Sequence, residues 1–237
     1  YLVGYFSFDR DDGATAYDFS TFDHDGTYNN SVSSSTDGCV YDDCLHLDGI
    51  DDFVELPDVP ILVFLNNFTV MAWINTTNNS ASQQVISNRG GSDNSWVMLI
   101  NTAGNVSFAA DSGAEVTQAQ SSINSDTLYH VAGVYDKANV ILYINGAESA
   151  STAKTAPMAD MAYGIYIGVR PDTTNANFFN GTIDEVMLFN ASLTATEISN
   201  IYQNASARFK ARGEQIFQNV NFNTDDVVNF TLDNCET

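Results

Sequence analysis

Basic residues are scarce in this chain. Only 8 of its 237 residues are Lys or Arg, against 30 Asp or Glu, and the formal net charge is −22. Nucleic acids and anionic membrane surfaces bind clusters of Lys and Arg, so this composition argues against both as partners. The charge instead favours divalent cations, neutral ligands or simple solubility.

Long apolar runs and common catalytic motifs are also missing. No stretch approaches the roughly 18 apolar residues of a membrane span. The chain starts at Tyr1 with no leader pattern, so we expect a processed or excised product. The three histidines, His24, His46 and His130, lack H-E-x-x-H or other paired zinc spacing, and no G-x-S-x-G or P-loop occurs. His130 lies inside a predicted strand, where we expect a structural role.

Cysteine is rare as well, with three in the chain. Cys39 and Cys44 lie five positions apart, close enough to bridge a hairpin or a tight loop. Cys235 is left over beside the C-terminus, which in an exported protein predicts a thiol that pairs with another module or subunit. Three reduced thiols in a cytosolic protein fit the cysteine count equally well.

The sequons favour export. Nine N-x-S/T sequons occur, about twice the roughly four that the Asn, Ser and Thr content predicts by chance. We therefore expect an extracellular or cell-surface glycoprotein with a Cys39–Cys44 disulfide. The candidate glycosylation sites are Asn29, Asn67, Asn75, Asn78, Asn105, Asn180, Asn190, Asn204 and Asn229.

Only four prolines occur, and none interrupts the apolar runs that predict strands. Two runs, 128–136 and 139–147, flank a polar turn, and the second ends in Asn145-Gly146, a strong hairpin signal. One short helix is predicted to begin at Thr194, because Thr194 and Glu197 fit a capping box. Many strands with one late helix indicate an all-β sandwich. Further strands are predicted at 68–75, 96–111 and 164–170, and the helix stripe is Ile198, Ile201 and Tyr202.

The ordered segments resemble a known family. "LVGYFSFDRDDGATAYDFSTFDHDGTYNN", "CLHLDGIDDFVELPD", "FTVMAWIN", "LYHVAGVYD", "VILYINGAES", "IYIGVR" and "FNGTIDEVMLFNASLTATEISNIY" follow in the order found in laminin-G-like domains of the concanavalin A-like lectin/glucanase superfamily. The resemblance implies a two-sheet antiparallel jelly roll over residues 1–208. Residues 209–237 read as a β-rich extension, the start of a further module, or a strand that pairs with a neighbouring subunit.

A calcium site is the main chemical hypothesis. Asp18, Asp23 and Asp25 lie in one Gly-containing loop and offer the hard oxygen ligands that Ca²⁺ prefers. A network of cap and turn hydrogen bonds is the alternative interpretation of this loop. The resemblance implies that Asp184, in the family's I-D-E-V segment, completes the site. A second acidic segment, "DGIDD" at 48–52, is expected to be a hairpin turn.

The adjacent carboxylates Asp184 and Glu185 raise the question of catalysis. On a regular strand, neighbours point to opposite faces, so Asp184 is expected on the face of Val186 and Leu188, and Glu185 on the other as a structural partner. The paired carboxylates of a retaining glucanase, supplied in this superfamily by E-x-D-x-x-E, are absent. The chain is therefore expected not to be an enzyme.

The sequence thus predicts a non-enzymatic, calcium-stabilised extracellular module for adhesion or for recognition of glycans or proteins. The alternative is a structural subunit of a filament or surface layer, which binds copies of itself through its C-terminal tail. A polysaccharide-cleaving enzyme ranks third.

Overall fold

The strands cover 51% of the described residues. The computed structural model describes residues 1–10, 12–58, 66–90, 93–111, 116–154, 158, 164–171 and 177–210, so Asn229, Cys235 and the extension from 211 onward lie outside the described residues. The strands are β1 Leu2–Phe6, β2 Thr15–Ala16, β3 Gly26–Asn29, β4 Ser33–Ser35, β5 Cys44–Asp48, β6 Phe53–Glu55, β7 Phe68–Thr76, β8 Gln83–Gly90, β9 Asp93–Ile100, β10 Asn105–Asp111, β11 Val116–Ser122, β12 Tyr129–Tyr135, β13 Asn139–Ile144, β14 Ala147–Ala153, β15 Tyr166–Ile167 and β16 Asn180–Phe189.

The described strands form two antiparallel sheets. Sheet A has the order β14-β13-β12-β7-β16-β5-β4, with β1 also paired to β16. Sheet B has the order β11-β10-β9-β8-β15-β6-β3-β2. Hairpins and meanders within a sheet, such as β8 to β11, are joined by crossings between the two sheets, and the arrangement is that of a jelly-roll sandwich. The predicted all-β fold is confirmed.

Local sequence signals determine the hairpins. The turn between β12 and β13 forms as predicted. The Asp136 N–H donates to the Asn139 carbonyl, and the Asn139 N–H and Nδ2 groups donate to the Asp136 carboxylate. Asn145 and Gly146 have φ of 50° and 76°, as a type I′ turn between β13 and β14 requires. The predicted strand at 164–170 is shorter than expected, because the chain turns at Gly168, which has a φ of 88°.

The core lies between the two sheets. Phe68 of sheet A meets Trp96 and Phe108 of sheet B, with ring centroids 5.6 and 6.0 Å apart. Gly133 on β12 lies directly beneath the Phe108 ring, where even a Cβ atom would approach the ring to 2.4 Å. Burial of such aromatic side chains supplies the main driving force for the sandwich.

The helix α1, Ala195–Lys210, packs on the outer face of sheet A. The predicted capping box is confirmed: Thr194 N–H donates to Glu197 Oε2 at 2.7 Å, and Glu197 N–H donates to Thr194 Oγ1 at 3.3 Å. Ile198 and Ile201 are buried against sheet A, as the predicted stripe requires. Within the described residues, no helix is both long enough and apolar enough to cross a membrane.

The predicted disulfide is present. Cys39 and Cys44 are bonded, and their Cα atoms lie 5.4 Å apart. The bridge closes the loop between β4 and β5, where Ser35 pairs with Cys44. Cys235 lies outside the described residues, so its inter-module role stays a prediction.

The prediction of a hairpin at 48–52 is wrong. This segment joins β5 in sheet A to β6 in sheet B, so it is a crossing between the sheets. An Asp-Gly step flanked by apolar runs predicts a turn but does not determine which sheet the following strand joins.

Candidate functional site

The strand β16 runs through the middle of sheet A, and its pairing changes at Asp184. On one side it pairs with β7 along its length. On the other side, β5 pairs as far as Ile183, and β1 pairs from Val186 onward. Asp184 and Glu185 therefore lie at a gap in the ladder between β5 and β1.

A β-bulge fills this gap. The register against β7 shifts between Asp184, which pairs with Trp73, and Met187, which pairs with Met71. Glu185 has a φ of 49°, a left-handed conformation that is unusual for a residue with a side chain. The extra residue changes the alternation of faces along β16.

The bulge overturns the predicted face of Asp184, whereas Glu185 lies on the predicted face of Met187. Val186 and Leu188 point into the core between the sheets, whereas Asp184 lies on the outer face with Trp73. Glu185 also lies on the outer face, because its Oε2 accepts a 2.8 Å hydrogen bond from the hydroxyl of Tyr5, which pairs with outward-facing Met187. The expectation that the two side chains diverge is therefore wrong.

The loop that the disulfide closes covers Asp184. The Oδ2 atom of Asp184 accepts N–H groups from Val40 at 2.8 Å and Tyr41 at 3.4 Å. Its Oδ1 atom accepts the Glu185 N–H at 2.7 Å. The Asp184 side chain is 1% exposed and that of Glu185 is 5% exposed. Two carboxylates are therefore enclosed side by side.

A third carboxylate, Asp9, adds to this charge. Burial raises the pKa of Asp184 well above its ordinary value, and the charges of Glu185 and Asp9 raise it further. Burial also raises the pKa of Asp9, assisted by the charges of Asp42 and Asp43. The Oδ1 atom of Asp9 is buried and has no hydrogen-bond partner. A divalent cation beside these carboxylates would offset their repulsion and coordinate the orphaned oxygen. The three side chains would have to draw together around it, because their oxygens do not all lie within 4.8 Å of one another.

Asp18 is the centre of a hydrogen-bond network. Its Oδ1 atom accepts the N–H groups of Tyr5 and Ser20, and its Oδ2 atom accepts the Ser20 hydroxyl and the His24 N–H, all at 2.8–2.9 Å. Asp25 accepts the N–H of Asp18 at 2.7 Å. Asp23 is exposed, with a φ of 57°. The alternative network of turn hydrogen bonds is thus present, and no calcium coordination by Asp18, Asp23 and Asp25 is needed to account for the loop.

The same loop presents two aromatic rings to solvent. Phe19 is 50% exposed and lies beside Tyr5, with centroids 6.2 Å apart. Phe22 is 42% exposed and stacks on His24 at 5.8 Å. We call residues 18–25, with these two rings, the aromatic loop. Sequence reasoning missed it, because the spacing of the two Phe residues carries no signal of exposure.

The segment at 48–52 brings three carboxylates together. Asp48, Asp51 and Asp52 have ligand oxygens within 4.8 Å of one another, and among the described residues no other group of three or more acidic, His or Cys side chains meets this spacing. The Asp48 and Asp52 oxygens already accept backbone N–H groups, from Ile50 at 2.8 Å and Ser31 at 2.9 Å. These bonds account for the cluster as part of the crossing between the sheets.

The described sequons differ in accessibility. Asn78 and Asn190 are exposed. Asn75 is partly buried, its Oδ1 atom is buried, and its Nδ2 atom lies 2.9 Å from the position that a Cβ on Gly38 would occupy. Asn29, Asn67, Asn105, Asn180 and Asn204 are partly buried.

The sequence itself matches a family model. Residues 48–199, well over half of the chain, match a laminin-G family described as "Concanavalin A-like lectin/glucanases superfamily". The chain belongs to this family. The match includes Asp184 and Glu185, whereas Asp9 and the aromatic loop precede it. No curated protein matches the laminin-G-like chain.

Solved structures share the fold of this laminin-G-like domain. The receptor-binding domain of the botulinum neurotoxin C/D mosaic serotype superposes with a TM-score of 0.70 at 14% identity, covering 86% of this chain and 51% of that one. The botulinum neurotoxin DC binding domain in complex with rat synaptotagmin II gives 0.70 at 13%, covering 86% and 51%. The serotype D domain in complex with N-acetylneuraminic acid gives 0.69 at 15%, covering 86% and 50%. The laminin-G-like chain spans about half the length of these proteins.

The network around Asp18 yields a stability prediction. We expect Asp18→Asn to lower the free energy of unfolding by about 1–3 kcal/mol, because an amide nitrogen cannot accept the buried N–H and O–H groups. The control Asp23→Asn should change it by less than about 0.5 kcal/mol, since Asp23 is exposed and Asn tolerates positive φ. Urea unfolding measures both, and equal effects of the two variants would contradict the assignment.

Proposed function

We propose that this laminin-G-like chain is an extracellular, non-enzymatic recognition module that binds a neutral glycan through its aromatic loop and is stabilised by calcium beside Asp184. The observation that carries the proposal is the pair of exposed rings, Phe19 and Phe22, on a loop held by Asp18.

Rigidity of the aromatic loop favours binding. Asp18 accepts four hydrogen bonds, and the Phe19 N–H donates to the Tyr5 carbonyl at 2.7 Å, so little conformational entropy remains to be lost on binding. Phe19 and Phe22 each have another ring beside them, Tyr5 and His24, and remain exposed to solvent. Exposed aromatic rings flanked by carboxylates supply both stacking and hydrogen-bond acceptors for sugar hydroxyls.

Charge favours a neutral glycan over an acidic one. The net charge is −22, and Asp23 and Asp25 flank the His24 that stacks on Phe22. A sialic acid carboxylate would be repelled there. One structural neighbour was solved with N-acetylneuraminic acid and another with a synaptotagmin, so sialylated glycans and protein ligands are the alternatives to compare.

The ligand proposal is tested on a glycan array that carries neutral and sialylated glycans, in calcium-containing buffer. We expect neutral glycans to bind, and the double variant Phe19→Ala/Phe22→Ala to weaken binding at least tenfold, which corresponds to about 1.4 kcal/mol of lost stacking. The control Ile50→Ala removes an equally apolar side chain, 71% exposed, elsewhere on the surface and should bind as wild type.

Two outcomes would contradict the ligand proposal. A blank array would argue against glycan recognition. Equal losses in the Phe19→Ala/Phe22→Ala and Ile50→Ala variants would place any binding away from the aromatic loop.

Burial of the acidic pair supports a non-enzymatic role. Catalytic carboxylates of glycosidases must reach the scissile bond. Asp184 and Glu185 are almost fully enclosed, and the Asp184 oxygens already accept three backbone N–H groups. The structural neighbours given above are binding domains of neurotoxins.

Calcium is proposed as the partner of the acidic pair. Asp9, Asp184 and Glu185 are the side chains that would hold it, because their charges raise one another's energy and the Asp9 Oδ1 has no other partner. The bound ion would supply positive charge and oxygen coordination at the gap between β5 and β1.

Calcium should therefore raise the melting temperature. At about a hundredfold excess over Kd, an ion that binds only the folded state adds about 2.7 kcal/mol, or roughly 5–10 °C for a chain of this size, and EDTA should reverse the shift. Glu185→Gln should abolish the response, and in EDTA it should be more stable than wild type, because one buried charge is removed.

The control for calcium is Asp51→Asn, which alters the other acidic cluster and should keep the full response. Scanning calorimetry measures each melting temperature. A wild-type melting temperature that EDTA leaves unchanged, or loss of the response in Asp51→Asn, would contradict the proposed ligands.

Export and glycosylation complete the proposal. Nine sequons and a disulfide favour an oxidising, extracellular compartment. Among the described sequons, the exposed Asn78 and Asn190 are the best acceptors, and the partly buried Asn75, whose Oδ1 atom is buried, is a poor one.

Intact mass after expression through a eukaryotic secretory pathway tests this order. We expect Asn78→Gln and Asn190→Gln each to remove one glycan mass, and Asn75→Gln to remove none, because the Oδ1 atom of Asn75 is buried and its Nδ2 atom lies close to Gly38. Loss of a glycan in Asn75→Gln, or a mass unchanged by enzymatic glycan release, would contradict the proposal.

A further inference from the structure

His130 is enclosed between sheet A and helix α1. It lies on β12 and is 1% exposed. Its ring packs against Trp73 of β7, with centroids 5.4 Å apart, and against Tyr202 of α1, at 5.8 Å. Trp73 and Tyr202 also stack on each other at 5.5 Å. The three rings form a cluster, which we call the aromatic lock, that joins α1 to the sheet.

The imidazole of His130 has no polar partner. Neither ring nitrogen makes a hydrogen bond. The backbone of His130 is satisfied separately, because its N–H donates to Asn145 Oδ1 at 3.0 Å and its carbonyl accepts the Asn145 N–H at 2.8 Å. A protonated ring would bury a positive charge and two N–H donors that have no acceptor.

Among the described residues, no charged group contributes to the lowered pKa of His130. The side chains that contact the ring are Trp73 from β7 and Tyr202 from α1, and Asn145 bonds only to the His130 backbone. Burial alone lowers the pKa of His130, to about 3. The cluster therefore holds together only while the imidazole is neutral.

Tyr202 is also a main contact of this part of α1. A Cβ atom on Gly146 would lie 2.8 Å from Tyr202 Cδ1, so the phenol ring rests directly on the β13–β14 turn. Ile198 and Ile201 continue the contact on an apolar patch of sheet A. That patch comprises Met71, Ala132, Val134, Tyr143 and Phe189.

We propose that α1 is an acid-released strap: protonation of His130 opens the aromatic lock, lifts α1 from sheet A and uncovers the apolar patch beneath it. The patch would then become available for contact only in acidic surroundings. This inference shares no residue with the calcium or glycan proposals, and the lock meets the acidic pair only through Trp73, which pairs with Asp184.

The direction of the pH dependence follows from linkage. His130 has a lower pKa in the closed form than the ordinary value of about 6.5 that it regains when exposed, so protons bind the open form more tightly. Closure is fully favoured above about pH 6.5. Below about pH 6.5, the ratio of open to closed form rises by up to about tenfold per pH unit. The rise ends near pH 3, where the closed form is protonated as well.

Amide hydrogen exchange on the full chain tests the strap. Between about pH 7 and about pH 5, after correction for intrinsic rates, α1 amides should lose about 25-fold in protection while β7 amides keep theirs. His130→Phe keeps an aromatic ring that does not titrate, and should abolish the pH-dependent loss. The control His46→Phe alters an exposed histidine on β5 and should behave as wild type.

Three results would overturn the strap. These are α1 protection that does not change with pH in the wild type, the same loss in His130→Phe, and a simultaneous loss in β7 that indicates global unfolding. Imidazole NMR of the wild-type protein gives a reading without any variant. The closed-state His130 signal should lose intensity without shifting, and a shift with a midpoint near 6.5 would contradict the proposal.

Discussion

The extra residue at Glu185 is the constraint on which the site depends. The positive φ of Glu185 shifts the register of β16 against β7 and turns two neighbouring carboxylates to the same outer face. They lie where β5 stops pairing and β1 starts, so a loop must cover them. The loop closed by the Cys39–Cys44 bridge does so, with its N–H groups on Asp184. Strain in β16, the disulfide and the buried charge are therefore parts of one arrangement.

Tyr5 connects this buried charge to the surface. Its hydroxyl donates to Glu185, its N–H donates to Asp18, and its ring lies beside Phe19. A change in the charge at Glu185 therefore acts on the strand that anchors the aromatic loop. In the proposed function, calcium at the acidic pair keeps Tyr5 in place, and Tyr5 in turn fixes one of the two exposed rings. Tyr5 then contributes both to the stability of the calcium site and to recognition by the aromatic loop. The aromatic lock lies beside the acidic pair, because Trp73 pairs with Asp184, but it shares no residue with the link through Tyr5.

Features that depend on local sequence could be predicted, and features that depend on distant contacts could not. The Asn145-Gly146 turn and the Thr194–Glu197 cap involve neighbouring residues, and their geometry is determined by residue type. The bulge at Glu185 has no glycine to mark it, so a regular alternation placed Asp184 on the wrong face and missed that the two carboxylates lie side by side. Asp9 was missed because its proximity to Asp184 comes from the pairing of β1 with β16. Three of the four bonds to Asp18, from Ser20 and His24, are local, and the alternative interpretation of that loop already contained bonds of this kind. The fourth, from the Tyr5 N–H, comes from β1.

The central claim is that Asp9, Asp184 and Glu185 bind calcium together. The most direct measurement is the anomalous difference density of crystals grown in calcium. The account predicts a peak about 2.3–2.6 Å from carboxylate oxygens of these three residues, with Asp9 Oδ1 among its ligands. Density that is empty there, with Asp184 bound only to the N–H groups of Val40, Tyr41 and Glu185, would contradict it.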